Sequence, residues 1–207
     1  MKYLLILFCI TTLSATAGVH KWLKKMDAYQ KSSWFKNNVY AEVDTKSFYQ
    51  LEAIQQEINP DSIDIHLLNA CLFFACNKLR VLYKLPPYQI NSQLLCAANL
   101  HSGQMAAYHF FDHNNSYNSA LKTPEIRLRA CGINYRAEGE NCHRCLISED
   151  AYTYIELAQR VMESLFNSPP HRSNLLSTLF QYSACGVALE KSNEAIYLIV
   201  TQNFYNN

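Results

Sequence analysis

Three short polar clusters carry the residue types that do chemistry: His109-Phe110-Phe111-Asp112-His113, Glu138-Gly139-Glu140-Asn141 and Ser168-Pro169-Pro170-His171-Arg172. Imidazole titrates near neutral pH and ligates metals through a neutral ring nitrogen, and a carboxylate beside it can fix its tautomer. Taken singly, each cluster also has an ordinary structural use. A loop histidine can simply face solvent, Glu140-Asn141 can close a turn, and Arg172 can pair with a carboxylate or with helix carbonyls. His109 and His113 lie four apart, but the chain is leaving a helix there and no Glu intervenes as in a zincin motif. Cys142-His143-Arg144-Cys145 is a Cys-x-x-Cys, which elsewhere means redox or zinc. Without a thioredoxin-like strand and helix around it, structural disulfide use is the expectation. No Ser-His-Asp or Cys-His order stands out, so no nucleophile is evident.

The elements that must position these clusters are legible from period and punctuation. Asn59-Pro60-Asp61-Ser62 opens a helix in which Leu68, Leu72, Ala75, Leu79 and Leu82 share one face, and Pro86-Pro87 stops it. A second helix starts near Asn91-Ser92, buries Leu94, Leu95, Ala98 and Met105, and ends around Tyr108. Thr123-Pro124-Glu125 caps a short third helix closed by Gly132. A fourth runs from about Ser148 to Phe166, with Ile155, Ala158, Met162 and Leu165 inward. The period then changes: Tyr182–Leu189 and Ala195–Phe204 read as an antiparallel hairpin. The unbroken apolar stretch from Ala195 to Val200 reads as a central strand covered on both faces. The expected fold is α/β in the α+β sense, a three-layer α-β-α sandwich around a small, mainly antiparallel sheet.

Residues 1–17 read as a secretory signal: one Lys, an apolar run from Tyr3 to Leu13, and an Ala-x-Ala site ending at Ala17. That run falls short of the ~20 apolar residues that span a bilayer, so no transmembrane anchor is expected. Residues 18–60 read as an aromatic-rich N-terminal extension, partly helical near Lys46–Glu57, and residues 61–207 as the working domain. The whole chain has 18 basic and 17 acidic side chains. Loss of Lys2 with the leader brings the mature charge near zero, which argues against nucleic-acid binding. Cys71, Cys76, Cys96, Cys131, Cys142, Cys145 and Cys185 remain after export as disulfide candidates whose pairing the sequence leaves open.

Several segments together resemble the CAP superfamily (cysteine-rich secretory proteins, antigen 5 and plant pathogenesis-related proteins), in its bacterial secreted SCP-domain form. They are Asn77-Lys78-Leu79-Arg80, Leu94 to Met105 with His101, Phe111-Asp112-His113, Thr123-Pro124 with Arg127 and Gly132, Gly139-Glu140-Asn141, Asn167 to Arg172, and Gly186 with Thr201-Gln202-Asn203-Phe204. The resemblance implies that His113, Glu140 and His171 are three members of a cavity tetrad of two His and two Glu. The second Glu falls near Ser168, so that carboxylate is missing, and Leu165 stands where the bacterial subgroup carries Trp. The implied ligand cleft is His113, Glu140, His171, Asn141 and Ser168. Its two imidazoles and one carboxylate (His113, His171, Glu140) suit a divalent metal, Zn²⁺ foremost. The expected function is a secreted binding module for a metal ion, lipid or peptide-like ligand. The alternative is a metal-dependent hydrolase of peptides or envelope polymers. The expected location is periplasmic or extracellular.

Overall fold

The computed structural model describes residues 39–147, 152–192 and 195–207. The expected leader and cleavage site lie outside the described residues. Three strands form the sheet: β1 (Ala137–Leu146), β2 (Tyr182–Lys191) and β3 (Ile196–Asn206). Their order is β1-β3-β2, antiparallel throughout, with Glu140 opposite Asn203 and Gly186 opposite Thr201. The apolar run before Val200 is therefore the central strand, as its composition predicts. Alternate side chains serve the two faces. Leu198, Val200 and Phe204 enter one core, while Ile199 and Tyr205 pack on the other side.

The helices fill the outer layers. After two single turns, α1 (Val39–Glu42) and α2 (Thr45–Phe48), come the long α3 (Ile65–Leu82) and α4 (Ser92–Tyr108). The short α5 (Pro124–Ala130) precedes β1, and α6 (Tyr154–Asn167) and α7 (Pro169–Leu175) follow it. α4 and α5 cover one face of the sheet, α3 and α6 the other, giving the expected three layers. The segment ahead of α3 is no loose tether, because Phe48 and Ile54 are fully buried in the α3–α6 core and Phe48 stacks on Phe74 at 3.9 Å.

Several boundaries differ from the sequence reading. α3 is capped by Asp64, whose carboxylate accepts from the amides of His66 and Leu67, while Asn59 only closes a turn onto Asp61. It ends before the prolines, where Lys84 takes a left-handed φ of 59°. Its expected stripe also stops early: Leu68, Leu72 and Ala75 are buried, but Leu82, at the last position of the helix, is 74% exposed. Although α3 is long and apolar enough to cross a membrane, 67% of that stretch is buried in the fold, as a core helix requires. α6 begins later than expected, at Tyr154. There Thr153 and Glu156 form a reciprocal capping box, each satisfying the other's backbone donor. Glycine is required at Gly186, where a Cβ would sit 2.2 Å from the Asn99 nitrogen; its absence lets β2 lie against the backbone of α4.

Candidate functional site

The site is built on β1, an edge strand. Glu140 and Asn141 are neighbours on it, so their side chains leave by opposite faces. Glu140 points into the α4–α5 layer and is almost fully buried, which would be costly for a lone carboxylate. Its partners come from four other places in the chain. Arg127 of α5, itself fully buried, bonds both carboxylate oxygens through Nη2 at 2.9 and 2.8 Å. His113, in the loop after α4, donates from Nδ1 to Oε1 at 2.9 Å. Asn203, directly across the ladder, donates its amide to Oε2 at 3.0 Å while its oxygen accepts from the Ala98 amide. His101 of α4 stands 3.7 Å away and hydrogen-bonds the Asp112 carbonyl with the same Nε2.

Arg127 does more than neutralise. Its guanidinium also bonds the carbonyls of His113 and Leu121, tying the loop that carries His113 to α5. Asn141 works on the other face. Its amide donates to the His171 carbonyl at 3.2 Å and its oxygen accepts from Asn174 of α7 at 2.9 Å. Ser168 is the N-cap of α7, and its side chain makes no capping bond. Of the five cleft residues expected from sequence, the fold joins His113 to Glu140 directly and Asn141 to the His171 backbone. His171 shares no hydrogen bond with Glu140 among the described residues, but it is near enough for His113 to depress its pKa.

The electrostatics follow from burial and partners. Burial works to raise the Glu140 carboxyl, but the His113 hydrogen bond and the Arg127 charge outweigh it and hold the group below the ordinary carboxylate range. The Glu140 hydrogen bond pushes His113 up against the effect of burial. Burial pulls His101 down to about 4, so it is neutral at pH 7. Burial lowers His171 as well.

An ionised Glu140 can only accept, so His113 Nδ1 carries the hydrogen. The lone pair of the neutral ring then lies on Nε2, and half of this side chain is exposed. That is the arrangement in which a carboxylate orients a metal-binding imidazole from behind. A second group, His101, Glu140 and Cys142, also sits within metal-ligand range. It suits a cation poorly. The Asp112 carbonyl accepts, so His101 Nε2, the nitrogen nearest Glu140, carries hydrogen; Cys142 is held as a thiol by burial and by the adjacent Glu140 charge; and the carboxylate is already bound by Arg127. The same burial makes Cys142 a poor nucleophile, although its sulfur lies 3.7 Å from His113 Nδ1.

His109 is used elsewhere. It ends α4 in a left-handed conformation, and its Nδ1 meets Glu190 at 2.9 Å, a carboxylate that Arg144 also holds. The Cys-x-x-Cys lies along β1, where a three-residue offset places Cys142 and Cys145 on opposite faces; they do not pair with each other, and both are free thiols. Arg127, His101 and Asn203 enter the sequence reading only as motif residues and Cys142 only as part of a Cys-x-x-Cys; none of the four is assigned there to the Glu140 site. Nothing local marks Arg127, because its helix carries Glu125 and Arg129 as well.

The three-layer α-β-α fold thus carries a His–Glu–Arg centre on its edge strand. Residues 73–204 match the CAP, or cysteine-rich secretory protein, family, and the chain belongs to it. Among solved structures it is similar to an extracellular protein containing an SCP domain from Bacillus anthracis (24% identity, TM-score 0.51, 72% of this chain). It is also similar to an outer surface protein from Borrelia burgdorferi (17% identity, TM-score 0.53, 74% of this chain and 99% of that one). The chain spans only 44% of the Bacillus protein's length, and both likenesses speak for the fold. No curated protein matches by sequence.

Proposed function

We propose that this is a secreted CAP-family binding protein whose cleft holds a divalent cation, Zn²⁺ foremost, through His113 Nε2 and His171. The observation that carries the reading is the His113–Glu140 hydrogen bond, which fixes the imidazole tautomer and leaves Nε2 facing the half-open side. Glu140 then acts by orienting His113 and not as a ligand, since Arg127 and Asn203 already occupy its oxygens. A cation bound there could polarise a carbonyl oxygen, which is what the hydrolase alternative needs. Export is supported by the leader-like first 17 residues and by the extracellular and outer-surface character of the two similar structures.

Calorimetric titration of the mature protein with Zn²⁺ tests the reading. Binding should disappear in His113→Ala and in His171→Ala, and weaken about 10–100-fold in Glu140→Gln, the usual effect of losing a group that orients a ligating His. Undiminished Zn²⁺ binding in both histidine variants would overturn it.

One separate observation favours a lipid as a second ligand. Between the exposed end of α3 and α6 lies an apolar groove of about 570 Å³, lined mainly by Ala75, Leu79, Leu82, Met162 and Phe166, with Lys78 and Glu163 also in its lining. It is on the other side of the sheet from Glu140. A fluorescent fatty acid should bind the wild type and fail to bind Leu79→Asp; equal binding to both would exclude this groove.

A further inference from the structure

The sulfurs of Cys96 and Cys131 approach to 2.6 Å, although both residues are thiols among the described ones. Non-bonded heavy atoms settle at ~3.5–4.0 Å even for carbon, and sulfur is larger. A disulfide needs ~2.05 Å, so this separation is nearer to a bond than to a packing contact. Both side chains are buried among Leu94, Leu100, Leu128 and Ile133.

We propose that Cys96 and Cys131 form an intrachain disulfide in the exported protein. The bond would join the first turns of α4, which carries His101, to the end of α5, which carries Arg127. Cys131 is the cap residue of α5, and its amide bonds the Arg127 carbonyl at 3.1 Å. The cross-link therefore fixes the helix that supplies the guanidinium against the helix behind the Glu140 centre, across 35 positions of sequence that include the whole His113 loop.

The chemistry balances with an oxidant of the thiol–disulfide class. Either sulfur of the pair can lead. Where Cys96 leads, its thiolate attacks a carrier disulfide and releases one carrier thiol. Cys131 then attacks the mixed disulfide through its own sulfur, forming the Cys96–Cys131 bond and releasing the second carrier thiol. The chain loses two hydrogens and two electrons, and the carrier gains them. The other five mature cysteines take no part. Cys142 and Cys145 face opposite sides of β1, and no other pair of sulfurs is in contact among the described residues.

The test is a peptide map of the exported protein, denatured and alkylated without reductant. A peptide pair joined through Cys96 and Cys131 is expected, with an intact mass ~2 Da below the fully reduced form. Five alkylated cysteines should accompany it. Reductant should lower Tm by about 5–15 °C in the wild type, as closing a loop of this length implies, and should leave the Cys96→Ala/Cys131→Ala variant unmoved. Seven alkylated cysteines in the exported protein, or a linked pair that omits either residue, overturns the proposal. The mass readout holds even if the double variant fails to fold.

Discussion

At the scale of single residues, the centre of this protein is a buried charge pair. Glu140 and Arg127 are both removed from water, and each is tolerable there because the other is present. Replacing Glu140 with Gln leaves a buried guanidinium with carbonyl and amide partners but no counter-charge. The expected loss is about 3–5 kcal/mol of folding stability, the range for breaking one half of a buried pair, measured by denaturant unfolding. A loss below about 1 kcal/mol would mean that water reaches Arg127 freely. Sequence chemistry could name Glu140 and His113 as partners because motif order suggested it. It could not see that Arg127, Asn203 and His101 complete the same cluster, since these arrive from α5, β3 and α4 and nothing local in the chain links them. His171 is legible by its type alone; that its backbone carbonyl accepts from Asn141 is a contact no local pattern signals.

At the scale of elements, the sequence was most informative where a period persisted. The inward faces of α4 and α6 and the two-sided burial of β3 follow directly from apolar spacing, because each element packs along most of its length. It was least informative at ends and at β1, which carries the glutamate. β1 mixes Glu, Asn, Cys, His and Arg, and its polar residues are satisfied by groups from distant elements, so no alternation shows. Contact between α4 and β2 rests on a single missing side chain. A Cβ on residue 186 would meet the backbone of Ala98 and Asn99 at 2.4 and 2.2 Å, and backbone cannot swing aside as a flexible side chain can. Ser102 Oγ also bonds the Gly186 carbonyl at 2.9 Å, so any retreat of α4 breaks that bond too. Gly186→Ala should therefore lower Tm by roughly 5 °C or more, about 2–3 kcal/mol of overpacking in a chain of this size. A thermal scan showing no change would mean that α4 shifts at no cost.

At the scale of the whole molecule, the pH dependence of stability should be set more by buried imidazoles than by net charge, which is close to zero. His101 has an ordinary pKa of 6.5 in the unfolded chain and about 4 in the fold, where Glu140 and the protonated forms of Arg127 and His113 face it and desolvation dominates. A lowered folded pKa means that the unfolded state binds the proton first. The His101 contribution is thus complete above pH 6.5 and drains away between 6.5 and 4, by up to about 3 kcal/mol. His113 runs the opposite way: its pKa is raised, so its contribution is present below 6.5 and is lost as pH rises through the folded value. That term is small, because half the side chain is in water. Glu140, with a lowered pKa, adds stability above 4.5 that is lost only below it. Between pH 6.5 and 4.5 the falling limb therefore belongs mainly to His101, with His66, His143 and His171 adding smaller parts of the same sign. His101→Gln keeps an N–H for the Asp112 carbonyl but cannot titrate. Urea midpoints measured from pH 7 to 4.5 should fall less steeply in this variant than in the wild type. Parallel curves would show that His101 is charged in the fold, and the neutral-ring argument against a cation at His101, Glu140 and Cys142 would fall with it.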